Sequence, residues 1–157
     1  MVFDTIYQTY WNKIFRLCRG YLGDDDWAKD VAQDTFVSVY NNLSNFRQES
    51  AISTWIYRIA VNHCLRQLEK DKRLAKTDVQ DNLADHAETR NDAQIDLLYR
   101  FIGELKEIDR IIISLELEDV KQAEIASVTG LSESNVRVRI HRIKEQLSQK
   151  FKKYEHD

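Results

Sequence analysis

The chain of 157 residues contains no proline and only four glycines. Tight turns and hairpins draw on these two residues for backbone angles that others reach only at a cost. A chain so poor in both is confined to long elements joined by few turns, which favours helices. The expected fold class is therefore all-α. No apolar run approaches the ~18 residues of a membrane span. The start, Met1-Val2-Phe3-Asp4, has neither the basic nor the apolar segment of an export signal. A cytoplasmic protein without membrane insertion is expected.

Apolar side chains at helical spacing place the elements. Phe3, Tyr7, Tyr10, Ile14, Leu17 and Tyr21 step by four and three along one stripe. Gly23 ends that helix, and Asp26 of the run Asp24-Asp25-Asp26 is placed to cap the next. There Trp27/Ala28, Val31/Ala32, Thr35/Phe36 and Val39/Tyr40 repeat every fourth residue. A loop follows at Leu43–Ser53, and Ser53 or Thr54 starts a third helix, from Trp55 to about Arg73. Residues 77–93 are polar, acidic and poor in large apolar groups, which predicts a linker. Further helices are expected over Asp96–Leu105 and Asp109–Leu117, with fraying from Lys150 onward. The expected architecture is two small helical domains, residues 1–76 and 94–157, joined by a flexible acidic linker at 77–93.

Net charge is −3, which in itself argues against a nucleic-acid partner. Its distribution argues the other way. Residues 54–76 carry six basic and two acidic side chains, and residues 134–153 seven basic and one acidic. Residues 77–98 carry six acidic and one basic. Two basic faces flank an acidic connector. Their attraction favours a compact free protein with its basic surfaces partly covered. Cys18 and Cys64 lack CxxC spacing and read as small buried apolar residues. His63 has no second ligand pair at metal-binding spacing, so neither a metal nor a cofactor is expected.

The run Gln122 to Val136 has the form of a helix-turn-helix. Ala126 supplies the small residue where two helices cross, and Gly130 a residue that tolerates the turn. Ser132 is placed to cap the second helix. Val136, Ile140, Ile143 and Leu147 form that helix's apolar stripe. The outward residues Ser134, Asn135, Arg137, Val138, His141 and Arg142, with Arg139 toward the flank, suit base edges and phosphates. A helical hairpin with a solvated basic face is the plainer alternative. DNA binding alone does not separate a repressor from other DNA-binding proteins.

The first half separates them. Ala28-Lys29-Asp30-Val31-Ala32-Gln33-Asp34-Thr35-Phe36-Val37 runs on to Asn45-Phe46-Arg47, then Thr54-Trp55-Ile56-Tyr57-Arg58-Ile59-Ala60-Val61-Asn62. With Glu124-Ile125-Ala126, Gly130-Leu131-Ser132 and Val136-Arg137-Val138-Arg139-Ile140-His141-Arg142, the chain resembles the extracytoplasmic-function group of bacterial sigma factors. Lys106 departs from that pattern, where many relatives have proline. The resemblance implies an alternative sigma factor that binds core RNA polymerase, recognises promoter DNA and promotes strand opening. It also implies an anti-sigma factor as partner. Asp30, Gln33, Asp34, Phe36 and Val37 would meet the polymerase, although Phe36 reads equally well as core. Phe46, Arg47, Ser50, Trp55, Arg58, Asn62, Arg66, Lys70 and Arg73 would hold the non-template strand at the minus-ten element. Arg58, Asn62, Arg66, Lys70 and Arg73 also form one polar and basic stripe by spacing alone, able to track phosphates. Trp55 reads either as a stacking platform or as a core anchor. Ser134, Asn135, Arg137, Val138, Arg139, His141 and Arg142 would read the minus-thirty-five element.

Two other classes compete. A free-standing operator-binding regulator would normally dimerise, and no sustained dimerisation heptad follows the recognition helix. A nucleic-acid hydrolase could use Asp24, Asp25, Asp26 and Asp30 as metal carboxylates, but helix capping explains the run and no His or Lys constellation joins it. The chain is not expected to be an enzyme.

Overall fold

The computed structural model describes residues 2–74 and 90–156, and for 68–74 and 90–92 the backbone only. Among the described residues the chain forms seven α-helices and no strand. They are α1 (Phe3–Leu22), α2 (Asp25–Asn42), α3 (Ile52–Leu74), α4 (Arg90–Gly103), α5 (Glu107–Leu117), α6 (Gln122–Thr129) and α7 (Glu133–His156), with a 3-10 turn at Leu43–Asn45. The expected linker lies outside the described residues as far as position 89; its last residues, from Arg90, belong to α4.

Local chemistry sets most helix ends. Gly23 takes φ 80° and donates its N–H to the Arg19 carbonyl, closing α1 in a left-handed cap. Asp24, and not Asp26, caps α2: its Oδ1 accepts the Trp27 N–H at 2.9 Å. Asp25 and Asp26 then lie in the first turn, where the positive end of the helix dipole favours them. Tyr40 was expected on the buried stripe of α2 but is 66% exposed, its ring edge-on to Phe3 at 5.2 Å. The third helix starts earlier than Trp55, because Trp55 N–H already bonds the Ala51 carbonyl. The fourth ends at Gly103 and not Leu105, where Arg110 Nη1 donates to the carbonyls of both Gly103 and Leu105. The last helix does not fray at Lys150. Phe151 packs edge-on to Phe101 at 4.9 Å, and α7 continues to His156.

The helices α1, α2 and α3 pack on one another, as do α5, α6 and α7. The two sets also touch: α1 lies against α4 and α5, and α3 against α6. Buried side chains form one continuous cluster, including Ile14, Leu17, Ile56, Ile102, Ile112 and Ile143. The expected attraction between the acidic linker and the basic last helix lies outside the described residues; among the described residues, other charged groups join the two sets. Arg16 grips Glu118 through two hydrogen bonds of 2.6 and 2.8 Å. Arg19 pairs with Asp96 and Asp25, and stacks on the Tyr99 ring at 4.5 Å. Cys18 and Cys64 are buried, as expected, and unlinked, but their sulfurs lie only 3.6 Å apart.

Gly20 marks the closest approach of α1 to α5. A Cβ there would fall 2.0 Å from Ser114 Oγ and 3.1 Å from Ser114 Cβ. The hydroxyl could turn away; the second atom could not. Gly20→Ala should therefore cost about 1–3 kcal/mol, measured by urea unfolding. The double variant with Ser114→Gly should lose clearly less than the two single losses added together. Strictly additive losses would mean that the helices do not meet at this point in solution.

Candidate nucleic-acid interface

The loop after α2 and the start of α3 enclose a cleft of about 620 Å³, lined by Phe46, Arg47, Ser50, Thr54, Trp55 and Arg58 among others. Five of the nine residues expected at the minus-ten element therefore meet in one place. The Phe46 and Trp55 rings lie 5.0 Å apart, tilted by 32°. Gln48 bends the loop through φ 57°, a backbone state rare for side chains other than glycine. Trp55 is half-buried: it packs against the core while also lining the cleft.

A second cleft, of about 360 Å³, lies on the other side of Trp55 and is lined by Asn62, His63, Arg66, Ser38 and Asn42. Arg58, Asn62 and Arg66 are all exposed on α3. The side chains of Lys70 and Arg73 lie outside the described residues. His63 Nε2 is 2.8 Å from Ser38 Oγ. Burial and the neighbouring Arg66 hold the His63 pKa below its usual value, with Asp34 acting the other way. The ring therefore stays neutral near pH 7, keeping one nitrogen as an acceptor.

Arg58 already has a protein partner. Its Nε and Nη2 donate to the Ser127 carbonyl on α6 at 3.2 and 3.0 Å. Beside it, the hydroxyls of Ser53 and Thr54 donate to Glu124 of α6, Thr54 at 2.9 Å. Sequence reasoning missed this contact, since its partners are about 70 residues apart. It also assigned the two hydroxyls to starting α3.

On α2, Asp30, Gln33, Asp34 and Val37 are exposed on the surface. Phe36 is not: it is 3% exposed, with Tyr7, Trp11 and Phe3 ring centres at 5.1, 5.8 and 6.5 Å. Of its two readings, core holds. The rings of α1 enclose it, and it offers no apolar anchor to a partner.

The helix-turn-helix forms as its residues suggest. Gly130 takes φ 80° and bonds back to the Ala126 carbonyl. Ser132 Oγ accepts the Asn135 N–H at 3.1 Å, capping α7. Val136, Ile140, Ile143 and Leu147 are buried. Ser134, Arg137, Val138 and His141 are exposed on the outer face. Asn135 and Arg142 are exposed as well and Arg139 is partly buried, and the three lie in a polar cluster with Asp109. Arg139 Nε donates to Asn135 Oδ1 at 2.8 Å, while its Nη1 donates to Asp109 Oδ1 at 3.1 Å. Arg142 approaches Asp109 Oδ2 at 3.9 Å. Asp109 gave no sign of this in the sequence, where it looks like an ordinary acidic residue in the first turn of a helix. Among the described residues, no helix is long and apolar enough to cross a membrane.

These features have known counterparts. Residues 6–74 match sigma-70 region 2 and residues 95–147 match sigma-70 region 4. The chain is 32% identical to the RNA polymerase sigma-H factor of Pseudomonas aeruginosa, over 91% of this chain and 82% of that one. It is 30% identical to the extracytoplasmic-function RNA polymerase sigma-E factor of Escherichia coli, over 94% and 85%. The fold is similar to that of the sigma factor RpoE crystallised with the anti-sigma factor NepR from Bartonella quintana, with a TM-score of 0.82, 17% identity and 96% of each chain covered. It is also similar to CnrH in complex with the cytosolic domain of CnrY, with a TM-score of 0.73, 22% identity and 96% and 87% covered. With both sigma regions in order along one all-helical chain, and relatives at this identity over nearly its full length, the protein belongs to the extracytoplasmic-function family of RNA polymerase sigma factors.

Proposed function

We propose that this sigma factor docks on core RNA polymerase through the exposed face of α2, opens promoter DNA at the clefts around Trp55, and reads the upstream element with the outer face of α7. In this reading residues 1–76 and 94–157 are its two working parts. It acts in the cytoplasm, has no catalytic activity of its own, and is held in check by an anti-sigma factor. The observation that carries the reading is the cleft of Phe46, Arg47, Ser50, Trp55 and Arg58 at the head of a helix face bearing Asn62 and Arg66. Aromatic rings there can stack a base taken out of the duplex, and the basic face can follow the backbone it leaves. Run-off transcription with core polymerase on a promoter library tests the whole proposal.

Asn62 has an amide that both donates to and accepts from a base edge. Asn62→Ala should weaken open-complex formation more than initial duplex binding, at a cost of ~1–3 kcal/mol. Permanganate footprinting reads this directly. Thymine reactivity equal to that of the parent would remove Asn62 from the unpaired strand.

Asp34 is exposed, so reversing its charge should spare the core. Asp34→Lys should weaken affinity for core polymerase and leave helicity by circular dichroism intact. Unchanged affinity would take Asp34 out of the interface.

The α3–α6 contact covers part of the same cleft, because Ser127 lines it and bonds Arg58. A strand that takes up Arg58 competes with α6 for it. Glu124→Ala removes the acceptor of Ser53 and Thr54 and a negative charge near the path of phosphates. It should raise affinity of the free protein for minus-ten single strands, by fluorescence anisotropy, roughly threefold or more given the net value of two hydrogen bonds. Equal affinity would show that α6 does not cover the cleft in solution.

A further inference from the structure

We infer that Asp109 is a positioning residue for upstream-element recognition, and that Arg139 is a strut that transmits its hold and not a contact to DNA. The inference rests on the reading of α7 as the recognition helix.

Its basis is the way α7 is held on its two flanks. Helical geometry puts Ser134, Arg137, Val138 and His141 within an arc of about 100°. On one side of that arc lies the buried stripe of Val136, Ile140, Ile143 and Leu147. On the other lie Asn135, Arg139 and Arg142, which face the start of α5. The close-packed apolar stripe sets which face of the helix is buried, but it places no directional bond on the flank nearest the outer face. The other flank is directional. The side chain of Asp109 is only 6% exposed, and both its oxygens face guanidinium groups of α7. Arg139 is bonded at two nitrogens, to Asn135 at 2.8 Å and to Asp109 at 3.1 Å, and its side chain is 26% exposed. A carboxylate buried to this degree is held in place by its partners, since moving away from them leaves it unpaired. Its place in the first turn of α5 adds the helix dipole to that hold.

The scale of the effect decides its relevance. For a side-chain atom about 6 Å from the axis, a roll of about 20° moves it by about 2 Å. Hydrogen bonds to base edges tolerate only a few tenths of an ångström. A recognition helix free to roll that far would keep its charge beside DNA and lose its register on the bases. The Asn135–Arg139–Asp109–Arg142 chain prevents this. It also accounts for Arg142 differently from Arg139: its side chain remains 52% exposed, and its looser approach to Asp109 leaves donors facing outward.

The test uses the full chain assembled with core polymerase on promoters randomised in the upstream element. The readout is discrimination, the ratio of transcription from preferred to scrambled elements. Arg137→Ala is the reference for the recognition helix itself and should lower discrimination. Asp109→Asn keeps the size of the side chain and removes its charge. It should lower discrimination by about fivefold, the equivalent of one weakened base contact, while total binding at low salt falls little. Adding Arg139→Ala to Asp109→Asn should cost nothing more, since the two act as a unit. If Asp109→Asn leaves discrimination intact while Arg137→Ala reduces it, or lowers only the melting temperature, Asp109 is structural and the inference is overturned. It is equally overturned if Arg139→Ala costs the same in both backgrounds, which would make Arg139 a direct DNA contact. If neither Arg137→Ala nor Asp109→Asn changes discrimination, the reading of α7 itself fails. Should Asp109→Asn unfold at the assay temperature, Arg139→Lys takes its place: it keeps the charge but cannot join Asn135 to Asp109, so discrimination should fall, and full retention would overturn the inference.

Discussion

The arrangement of the two halves depends on the meeting of α1 with α5, where Arg16 grips Glu118 and Gly20 lets Ser114 approach. Glu118 follows the last turn of α5, where the dipole disfavours a carboxylate, and it is buried. It therefore needs a cation, and Arg16 supplies one through a two-point grip that fixes direction as well as distance. The side chain of Arg16 is itself 43% exposed, so water screens the pair and its net contribution to stability is small. Its larger effect is on register. Losing Arg16 would leave Glu118 buried and uncompensated, and with the grip in place Gly20 falls opposite Ser114. In the same arrangement α3 lies against α6, and the Ser127 carbonyl accepts from Arg58.

Features written in consecutive residues were legible in the sequence. The left-handed caps at Gly23 and Gly130, the Ser132 cap and the buried stripe of α7 each follow from a few neighbours. Errors arose where two local solutions competed. Asp24 and Asp26 are both plausible caps, and the choice depends on which carboxylate reaches the Trp27 N–H. Ser53 and Thr54 look like a helix start until Glu124 accepts both hydroxyls. Other features were not legible because their partners are distant along the chain. Helical spacing alone sets Arg142 outward and Arg139 toward the flank of the last helix. It does not show that Asp109, 30 residues before Arg139, meets both, with Arg139 at 3.1 Å and Arg142 at 3.9 Å. Phe36 was ambiguous for the same reason: the rings of α1 that enclose it lie 25 or more residues earlier. The pairing of Cys18 with Cys64 is likewise a product of how α1 meets α3.

The two contacts between the halves differ in kind, and this sets the order in which they yield. The α1–α5 contact is close and partly apolar, so separating it exposes apolar surface to water. The α3–α6 contact consists largely of hydrogen bonds from Arg58, Ser53 and Thr54, and Arg58 is exposed. Such bonds exchange with water at a net cost of about 0.5–1.5 kcal/mol each. A phosphate offers Arg58 a charged acceptor in place of the neutral Ser127 carbonyl, and charged hydrogen bonds are roughly twice as strong. In the proposed reading, the group that bonds α6 at the edge of the cleft would therefore favour a strand over the Ser127 carbonyl. Displacement would then begin at this face, because a phosphate competes there on better terms than the protein's own backbone.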